Sequence, residues 1–375
     1  MNSQSPPPLA ERLREKIKCE GPISFRDWMA AALYDEREGY YCRADRKRWG
    51  RDGEGGDYRT SPERSPLFAA TFARYFASLY AELNSPPLWT ILEAGAGAGN
   101  FARIVLETLE RDHPQVFQAT RYCLDEISAD ARNRARDNLA GFSDRVEFCQ
   151  NNPHGLSVEA GVIFSNELLD AFPVHRVRMH RDGQLRELCV ALNDAGDFIW
   201  SEQEPTTPRL EEHFSRQGIK LAEGHIAEIN LAAEEWIERA ASILKRGYLV
   251  TVDYGAEAGE LFQSIGRRDG TLRGFRAHKF VANLLSEPGE HDLTTTINWT
   301  SVKRAGEAAG LETISLERQD EFLLRAGLLD QLEQLTARQT NEAERLRLRL
   351  GVREMILPGG MSQSFQVLLQ KKREL

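Results

Sequence analysis

The stretch ILEAGAGAGN, Ile91–Asn100, is the part of the sequence that decides the fold. It continues a short apolar run, Leu88–Glu93, that predicts a buried strand, and helical spacing of apolar residues follows it at Phe101–Leu109. Glycines allow a tight turn and the close approach of a ligand, and the helix that follows offers unpaired backbone N–H groups. A strand, a glycine-rich turn and a helix in this order predict a binding crevice at the carboxyl end of a parallel strand.

The spacing of the glycines selects the ligand class. Dinucleotide sites follow G-x-G-x-x-G, but here Asn100 stands at the position of the last glycine and Gly99 precedes it, which argues against a nicotinamide oxidoreductase. The resulting G-x-G-x-G, with an acid two residues ahead, is the pattern of S-adenosylmethionine (SAM) sites. The acid suits the ammonium and the sulfonium of SAM. The alternative is a turn that only permits tight packing of the helix on the strand. We expect SAM as the cofactor, bound by Glu93, Gly95, Ala96, Gly97 and Gly99.

A second acid is expected at the end of the next strand, where it would bind the ribose hydroxyls of SAM. Arg121–Asp125 predicts that strand, and Ile127–Leu139 predicts the helix after it. Glu126 fits the role, with Asp125 as its competitor. The agreement of strand, glycine turn, helix and second acid favours a SAM crevice over a turn that serves packing alone.

Strand and helix patterns alternate along much of the remaining chain. They predict an α/β fold, a class I SAM-methyltransferase (Rossmann-like) seven-stranded sheet with helices on both faces. Helices are predicted at His225–Leu244 and Ser301–Ala309, and the final strand is expected to be antiparallel, as in methyltransferases of this class. The five remaining strands are predicted at Arg145–Cys149, Gly161–Ser165, Tyr248–Asp253, Leu311–Leu316 and Phe365–Leu369.

The chain is predicted to divide at about residue 87. Residues 1–87 predict an N-terminal helical and lid segment with a long polar loop at 43–66, and residues 88–372 predict the SAM-methyltransferase domain. Two insertions are expected in that domain. The one at about 174–222 contains strand patterns separated by turn signals, which predict antiparallel strands, and the one at about 254–298 is rich in glycine and proline.

The string NELLDAFP, Asn166–Pro173, follows the fourth strand and supplies candidates for the methyl-acceptor side. In SAM enzymes of this class the loop after that strand faces the transferred methyl group. Asn166, Glu167 and Asp170 are our catalytic candidates, because an amide and two carboxylates within five residues suit a guanidinium, which prefers planar, bidentate acceptors. The alternative is that Glu167 and Asp170 cap the N-terminus of a following helix.

Composition and charge limit the partners. The 375-residue chain carries a net charge of −9, which argues against a nucleic-acid binder with a basic face. No apolar run approaches the ~18 residues of a membrane span, so no membrane insertion is expected. The five cysteines form no CxxC and the eight histidines form no metal-ligand spacing, so we expect no metal. The cysteine pattern and the lack of a secretory signal predict a cytoplasmic location.

With these motifs together, the chain resembles the MidA-like SAM-dependent methyltransferases over most of its length. The most specific strings are GDYRTSPE at Gly56–Glu63 and NELLDAFP at Asn166–Pro173. The others are Gly21–Phe25, Gly39–Tyr41, Glu93–Asn100, Glu126–Ser128, Asp253–Gly255, Gly270–Arg273, Pro288-Gly289, Asp292–Thr294 and Phe322–Leu324 with Gly327. The chain departs from the family at Ala69, where glycine is usual, and at Ile297-Asn298-Trp299, where Val-Asp-Phe is usual. The second departure removes a carboxylate from an expected substrate face.

The resemblance implies methyl transfer from SAM to an arginine nitrogen of a partner protein, because the family includes a mitochondrial complex I assembly factor with that activity. A subunit of a respiratory complex is the partner it implies. It also implies a lid that folds over the cofactor and encloses the acceptor, formed by Asp57, Thr60, Pro62 and Glu63, with an ordinary surface loop as the alternative. The alternative function is a SAM-binding assembly factor or scaffold without turnover.

Overall fold

The computed structural model describes residues 7–43, 65–149, 156–276, 279–356 and 364–373, which form two compact units. Within these ranges, the first unit contains 7–43, 169–235 and 256–302, and the second contains 65–168, 236–255 and 303–373. The predicted boundary at residue 87 and the two predicted insertions are a different division of the same chain, and they stay predictions. In the described ranges no helix combines the length and the apolar character that crossing a membrane requires.

The helices of the described residues follow in chain order. They are α1 (Leu9–Glu20), α2 (Phe25–Tyr34), α3 (Pro66–Glu82), α4 (Asn100–Asp112), α5 (Pro114–Ala119), α6 (Ala129–Asn138), α7 (Arg209–Arg216), α8 (Leu231–Ile243), α9 (Ala258–Gln263), α10 (Trp299–Ala308), α11 (Gln319–Arg325), α12 (Leu328–Arg338) and α13 (Glu342–Ile356).

The strands of the same residues are β1 (Ile23–Ser24), β2 (Trp89–Ala94), β3 (Thr120–Asp125), β4 (Val146–Cys149), β5 (Gly161–Asn166), β6 (His175–Met179), β7 (Leu185–Leu192), β8 (Phe198–Gln203), β9 (Ile226–Ile229), β10 (Gly247–Ala256), β11 (Arg273–Arg276), β12 (Lys279–Phe280), β13 (Asp292–Thr294), β14 (Ile297–Asn298), β15 (Leu311–Arg318) and β16 (Phe365–Lys372).

The second unit is built on a sheet in which seven strands lie in the order β15-β16-β10-β5-β2-β3-β4. Strands β2, β3, β4, β5 and β10 are parallel, whereas β16 is antiparallel to both β10 and β15. The predicted α/β fold with an antiparallel last strand is therefore confirmed. Because parallel strands end at the same edge of a sheet, the loops after β2, β3 and β5, which carry the predicted motifs, lie at one edge.

Aromatic packing fixes the helices of this unit against the sheet. Phe72 of α3 lies 6.0 Å from Phe101 and 5.1 Å from both Phe164 and Phe322, measured between ring centroids. Phe101 of α4 stacks on Phe164 of β5, with centroids 4.5 Å apart and an interplanar angle of 9°. These contacts hold the start of α4, and with it the glycine turn, against the strand that leads into the acceptor loop.

The first unit contains antiparallel sheets. Strand β7 pairs with β1, β6 and β8, and β6 pairs with β9, so the antiparallel strands predicted between residues 174 and 202 are present. The predicted helix at His225–Leu244 is wrong over its first residues, because Ile226–Ile229 forms β9. Helix α8 begins only after Asn230, whose Oδ1 accepts a hydrogen bond from Ala233 N–H (2.9 Å) and so caps the helix.

Candidate active site

The glycine-rich turn begins at the end of β2 and leads into α4. Gly95, Gly97 and Gly99 have φ angles of 71°, 54° and 74°, a conformation that other L-residues adopt only at a cost. A Cβ atom at Gly95 would lie 3.0 Å from Leu168 Cδ1, and one at Gly99 would lie 2.9 Å from Leu139 Cδ1. The turn therefore needs glycine for its backbone shape, and at Gly95 and Gly99 it also serves the tight packing that the sequence left open.

Glu126 contacts this turn through its side chain. Its Oε2 accepts a hydrogen bond from Gly97 N–H and its Oε1 accepts one from Ser128 N–H, both 2.8 Å long. Asp125 contacts the turn through its backbone carbonyl, which accepts from Gly95 N–H (2.8 Å), and burial raises the pKa of its side chain. The role of Glu126 at the ribose stays a prediction, and this geometry favours it over Asp125.

Glu93 lies near the end of β2, next to the glycine-rich turn, and is only 5% exposed. Tyr122 Oη, on the neighbouring strand, donates a hydrogen bond to Glu93 Oε2 (2.7 Å). Burial raises the pKa of Glu93 to about 8; the Tyr122 hydrogen bond acts in the opposite direction, and the charge of Glu126 adds to the rise. At neutral pH this carboxyl is largely protonated, and a cation placed beside it would favour its ionised form.

The acids at the turn determine which ligand the turn can hold. The carboxylate of Glu126 would repel a pyrophosphate but suits a pair of ribose hydroxyls, and Glu93, which a cation beside it would ionise, suits an ammonium or a sulfonium. SAM carries all of these groups, so the residues present fit it. In the part of the chain that the structure describes, no cluster of three or more His, Cys, Asp or Glu side chains could hold a metal ion.

The first half of the acceptor loop belongs to the second unit. Asn166 ends β5, and its Nδ2 donates a hydrogen bond to Glu167 Oε1 (3.1 Å). Glu167 has a φ of 52°, and its N–H donates to the carbonyl of Val252 (2.9 Å). A positive φ at a non-glycine residue costs about 1–2 kcal/mol, and such residues are enriched at active sites. The strained backbone and the Asn166 amide both fix the Glu167 carboxylate.

The second half of the loop belongs to the first unit and forms a short 3₁₀ turn, Leu169–Ala171. Asp170 is buried within it, and its Oδ2 accepts a hydrogen bond from Thr294 Oγ1 (2.7 Å). The backbone carbonyl of Asp170 accepts from Thr295 N–H (3.0 Å). Since β6 and not an α-helix follows this turn, Glu167 and Asp170 do not cap a helix, and that alternative is wrong.

Polar residues to which the sequence motifs assigned no role surround Asp170 in this unit. Tyr41 Oη donates a hydrogen bond to Asp292 Oδ1 (2.7 Å), and burial, together with the charge of Asp292, raises the pKa of Tyr41 well above its ordinary value. Tyr34 Oη donates to the carbonyl of Ala171 (2.9 Å). The signal was present in the strings Gly39–Tyr41 and Asp292–Thr294, but spacing alone does not reveal that they meet.

Asn298, where the family usually has an aspartate, acts inside the first unit. Its Oδ1 accepts a hydrogen bond from Ser301 N–H (3.2 Å) in the first turn of α10. Its Nδ2 donates to Gln217 Oε1 (2.8 Å) and lies 3.3 Å from His213 Nε2. Asn298 therefore caps a helix and joins a side-chain network, and the expectation that the change removes a carboxylate from a substrate face stays a prediction. The predicted lid residues, Asp57, Thr60, Pro62 and Glu63, lie outside the described residues.

The mixed sheet, the glycine turn and its two acids define a SAM-dependent methyltransferase of class I, with SAM as its cofactor. The family model described as "Putative S-adenosyl-L-methionine-dependent methyltransferase" matches residues 71–316, and the chain belongs to this family. A protein from Burkholderia thailandensis, crystallised with S-adenosyl-homocysteine, has a similar structure. It is 28% identical with a TM-score of 0.85, and the match covers 98% of this chain and 95% of that one.

Curated relatives extend the similarity along the chain. The mitochondrial protein arginine methyltransferase NDUFAF7 homolog of Drosophila melanogaster is 27% identical, over 96% of this chain and 84% of its own length. The mitochondrial protein arginine methyltransferase NDUFAF7 of Homo sapiens is 24% identical, over 96% and 82%. The predictions of family, fold, cofactor and methyltransferase activity are confirmed. The predicted cytoplasmic location is wrong, because these relatives are mitochondrial proteins, and the cysteine pattern on which the prediction relied does not separate the two compartments.

Proposed function

We propose that this methyltransferase transfers a methyl group to an arginine nitrogen of a partner protein. The observation that carries the proposal is that relatives named protein arginine methyltransferases align with 96% or more of the chain. A protein substrate follows from those names, and the resemblance stated above points to a subunit of a respiratory complex as the partner.

SAM supplies the methyl group on a sulfonium. On its side of the site, Glu126 would bind the ribose hydroxyls, since its carboxylate is already aligned by Gly97 and Ser128. Glu93 would face the ammonium, and the glycines of the turn would let the cofactor approach the backbone. A cation beside Glu93 would recover part of the free energy that burying its charge costs.

On the acceptor side, Asn166, Glu167 and Asp170 would bind the guanidinium. A guanidinium is a weak nucleophile while protonated, because its pKa lies above ~12. In the reaction, a bond forms between the guanidinium nitrogen and the methyl carbon as the bond from carbon to sulfur breaks, and the nitrogen loses one proton. Glu167, fixed by Asn166 and by its strained backbone, would orient the nitrogen and accept that proton. Asp57, Thr60, Pro62 and Glu63 would form the lid.

The test incubates the purified chain with methyl-labelled SAM and candidate partner proteins, followed by mass spectrometry for methylated arginine. We expect Glu167→Gln to lower the rate of label transfer by about 100-fold, within the range of general acid–base contributions, and to leave the SAM dissociation constant within twofold. Glu107→Gln, at an exposed ion pair on α4, is the matched control and should transfer label like the unmodified chain. Label on another residue type would refute the arginine assignment, and SAM binding without release of S-adenosylhomocysteine would favour the scaffold.

A further inference from the structure

The first unit contains a cavity of about 450 Å³ that has no part in the reaction described above. Its walls come from α1, β1, the start of α2, the first residue of β6 and the start of α8. The strings Gly21–Phe25 and Asn166–Pro173, which carry the family resemblance, both contribute to it. Six residues that line it are Ile23, Ser24, Pro173, His175, Thr206 and Leu231.

A histidine held by a buried carboxylate faces this cavity. His175 Nδ1 lies 2.8 Å from Oε1 of Glu187, which is 0% exposed. Glu187 Oε2 accepts hydrogen bonds from Thr206 N–H and Thr206 Oγ1, both 2.7 Å long. Burial alone would raise the pKa of Glu187, but the hydrogen bonds from His175 and Thr206 outweigh it and lower the pKa below its ordinary value. Glu187 is therefore an ionised acceptor, which places the His175 proton on Nδ1.

The other ring nitrogen of His175, a residue that lines the cavity, is accessible. His175 is 92% buried, yet its Nε2 is not among the enclosed polar atoms and forms no hydrogen bond with any described residue. With the proton on Nδ1, the neutral ring offers Nε2 as a hydrogen-bond acceptor. A ligand that presents a hydrogen-bond donor could therefore bind to this nitrogen, whose ring is already oriented by Glu187.

The cavity lies at a fork in the antiparallel sheet. Strand β7 pairs with β6 as far as Glu187, opposite Val177, and then with β1, where Cys189 is opposite Ser24. If β6 continued to pair with β7 in the same register, His175 would lie opposite Cys189. Instead, His175 pairs only with Ile229 of β9, on the other side of β6. The edge of β6 at His175 therefore opens toward the cavity, and an open strand edge is the feature to which an extended peptide adds.

Exposed ion pairs surround the opening. Arg26 pairs with Asp27 at 2.8 Å and Arg209 with Glu235 at 2.6 Å, and all four side chains are at least 40% exposed. Lys16 lies 4.0 Å from Glu20. Exposed pairs of this kind contribute little to stability, so each can exchange its partner for a charge on a ligand. The rim offers both signs of charge in equal number, which matches a polypeptide better than a simple anion or cation.

We infer that this cavity binds an extended peptide segment of the protein substrate, with a hydrogen-bond donor of that segment on His175 Nε2 and its charged side chains on the rim. The inference rests on the proposed function for the identity of the peptide as substrate. It adds a docking site for the chain that carries the methylated arginine, apart from the residues that touch the guanidinium.

The test uses a library of fluorescein-labelled synthetic decapeptides with one central arginine, with binding measured by fluorescence anisotropy. His175→Asn places an amide N–H where Nδ1 was, so it keeps the hydrogen bond to Glu187 and removes only Nε2. Ala232→Phe fills the cavity and leaves the His175–Glu187 pair intact. We expect either change to weaken the tightest peptide about tenfold and to raise the KM for that peptide, with kcat and the SAM dissociation constant within twofold. His180→Asn, at an exposed histidine of the same unit, is the control and should bind as the unmodified chain does.

The outcomes separate the two proposals. Unchanged peptide affinity in both His175→Asn and Ala232→Phe would overturn the docking site, as would a library in which no peptide binds the unmodified chain saturably. Peptide binding that depends on His175 but yields no methylarginine would support the docking site and count against arginine as acceptor. Methylarginine formed with a KM that neither variant changes would overturn the docking site and leave the proposed function standing.

Discussion

Glu93 predicts an unusual pH dependence of cofactor binding. Its pKa of about 8, caused mainly by burial, means that the carboxyl is mostly protonated at pH 6. Binding of a ligand with an ammonium and a sulfonium favours the ionised carboxylate, so the proton must leave when SAM binds. SAM affinity should therefore rise with pH up to about pH 8, because less work is then needed to remove that proton.

The size of the effect follows from the pKa. If SAM binding releases one proton, the apparent dissociation constant of SAM is about a hundredfold above its high-pH limit at pH 6.0 and about fourfold above it at pH 7.5. The affinity for SAM therefore changes about twentyfold across this range. Isothermal titration calorimetry with SAM in buffers of different ionisation enthalpy measures both the affinity and the released proton. The range stops at pH 7.5, since amino groups such as that of SAM titrate near 7.7–8.0.

Three variants test whether Glu93 is the residue responsible. Glu93→Gln mimics the protonated form, and we expect weaker SAM binding at pH 7.5 with no dependence on pH. Glu126→Gln should weaken binding and keep a dependence on pH, because Glu93 still titrates; that dependence should be smaller, because the Glu126 charge that raises the pKa of Glu93 is lost. Tyr122→Phe removes the hydrogen bond that lowers the pKa of Glu93, so its SAM affinity at pH 7.5 should fall and its slope should persist. A flat profile in the unmodified chain, or a slope retained in Glu93→Gln, would refute this reasoning.

The same shift predicts how the stability of the cofactor-free protein depends on pH. The pKa of Glu93 rises from 4.5 to about 8 on folding, so the folded state holds its proton more tightly than the unfolded state does. The stability that protonated Glu93 contributes is complete below pH 4.5 and is lost as the pH rises from 4.5 to 8. The upper bound of this loss is about 5 kcal/mol, from 1.36 kcal/mol per pKa unit. Glu93→Gln should lose less stability over that range in urea denaturation.

Three further substitutions test the packing and hydrogen bonds of the site by urea denaturation. Gly99→Ala should cost about 1–3 kcal/mol, because of the left-handed backbone and the Leu139 contact, whereas Gly141→Ala, where a Cβ meets open space, should cost less. Thr294→Val should cost about 1–3 kcal/mol because it removes a donor from buried Asp170, and Thr294→Ser should restore most of it. Asn298→Ala should cost about 1 kcal/mol through the lost cap of α10, which Asn298→Asp keeps; equal stabilities within either pair would contradict the cause given.

The sheet could be predicted because its strands appear in the sequence as short apolar runs that the adjacent residues do not obscure. Strand β2 is buried at every position, and such a strand appears in the sequence as a continuous apolar run between turn residues. Residues Ile226–Ile229 carry the same kind of signal, but a helical pattern follows at once and a continuous helix matches the apolar positions equally well. Only the pairing with β6 and the cap at Asn230 separate β9 from α8. Both features depend on contacts in the folded chain, which the periodicity of the sequence does not reveal.

Some features of the candidate site could likewise be predicted from the sequence, and others could not. The glycine turn and the acids at the ends of β2 and β3 are local in sequence, and a local pattern was sufficient to select them. The protonation state of Glu93 was not accessible, because it depends on burial and on the Tyr122 hydroxyl from another strand. The choice between Asp125 and Glu126 also needed the backbone, since two adjacent acids differ only in which one turns its carboxylate toward Gly97.

The hydrogen bonds around Asp170 join strings that lie far apart in the sequence. Asp170 and Thr294 are 124 residues apart, and Tyr41 and Asp292 are 251 apart, yet each pair is joined by a bond of 2.7 Å in the first unit. Buried acids need such donors, because an unsatisfied buried carboxylate costs more than the bond itself contributes. The acceptor loop can therefore keep Asp170 only where the strand Asp292–Thr294 is kept too. A substitution that removes the Thr294 hydroxyl would therefore take a donor from buried Asp170, although the two residues are far apart in the sequence.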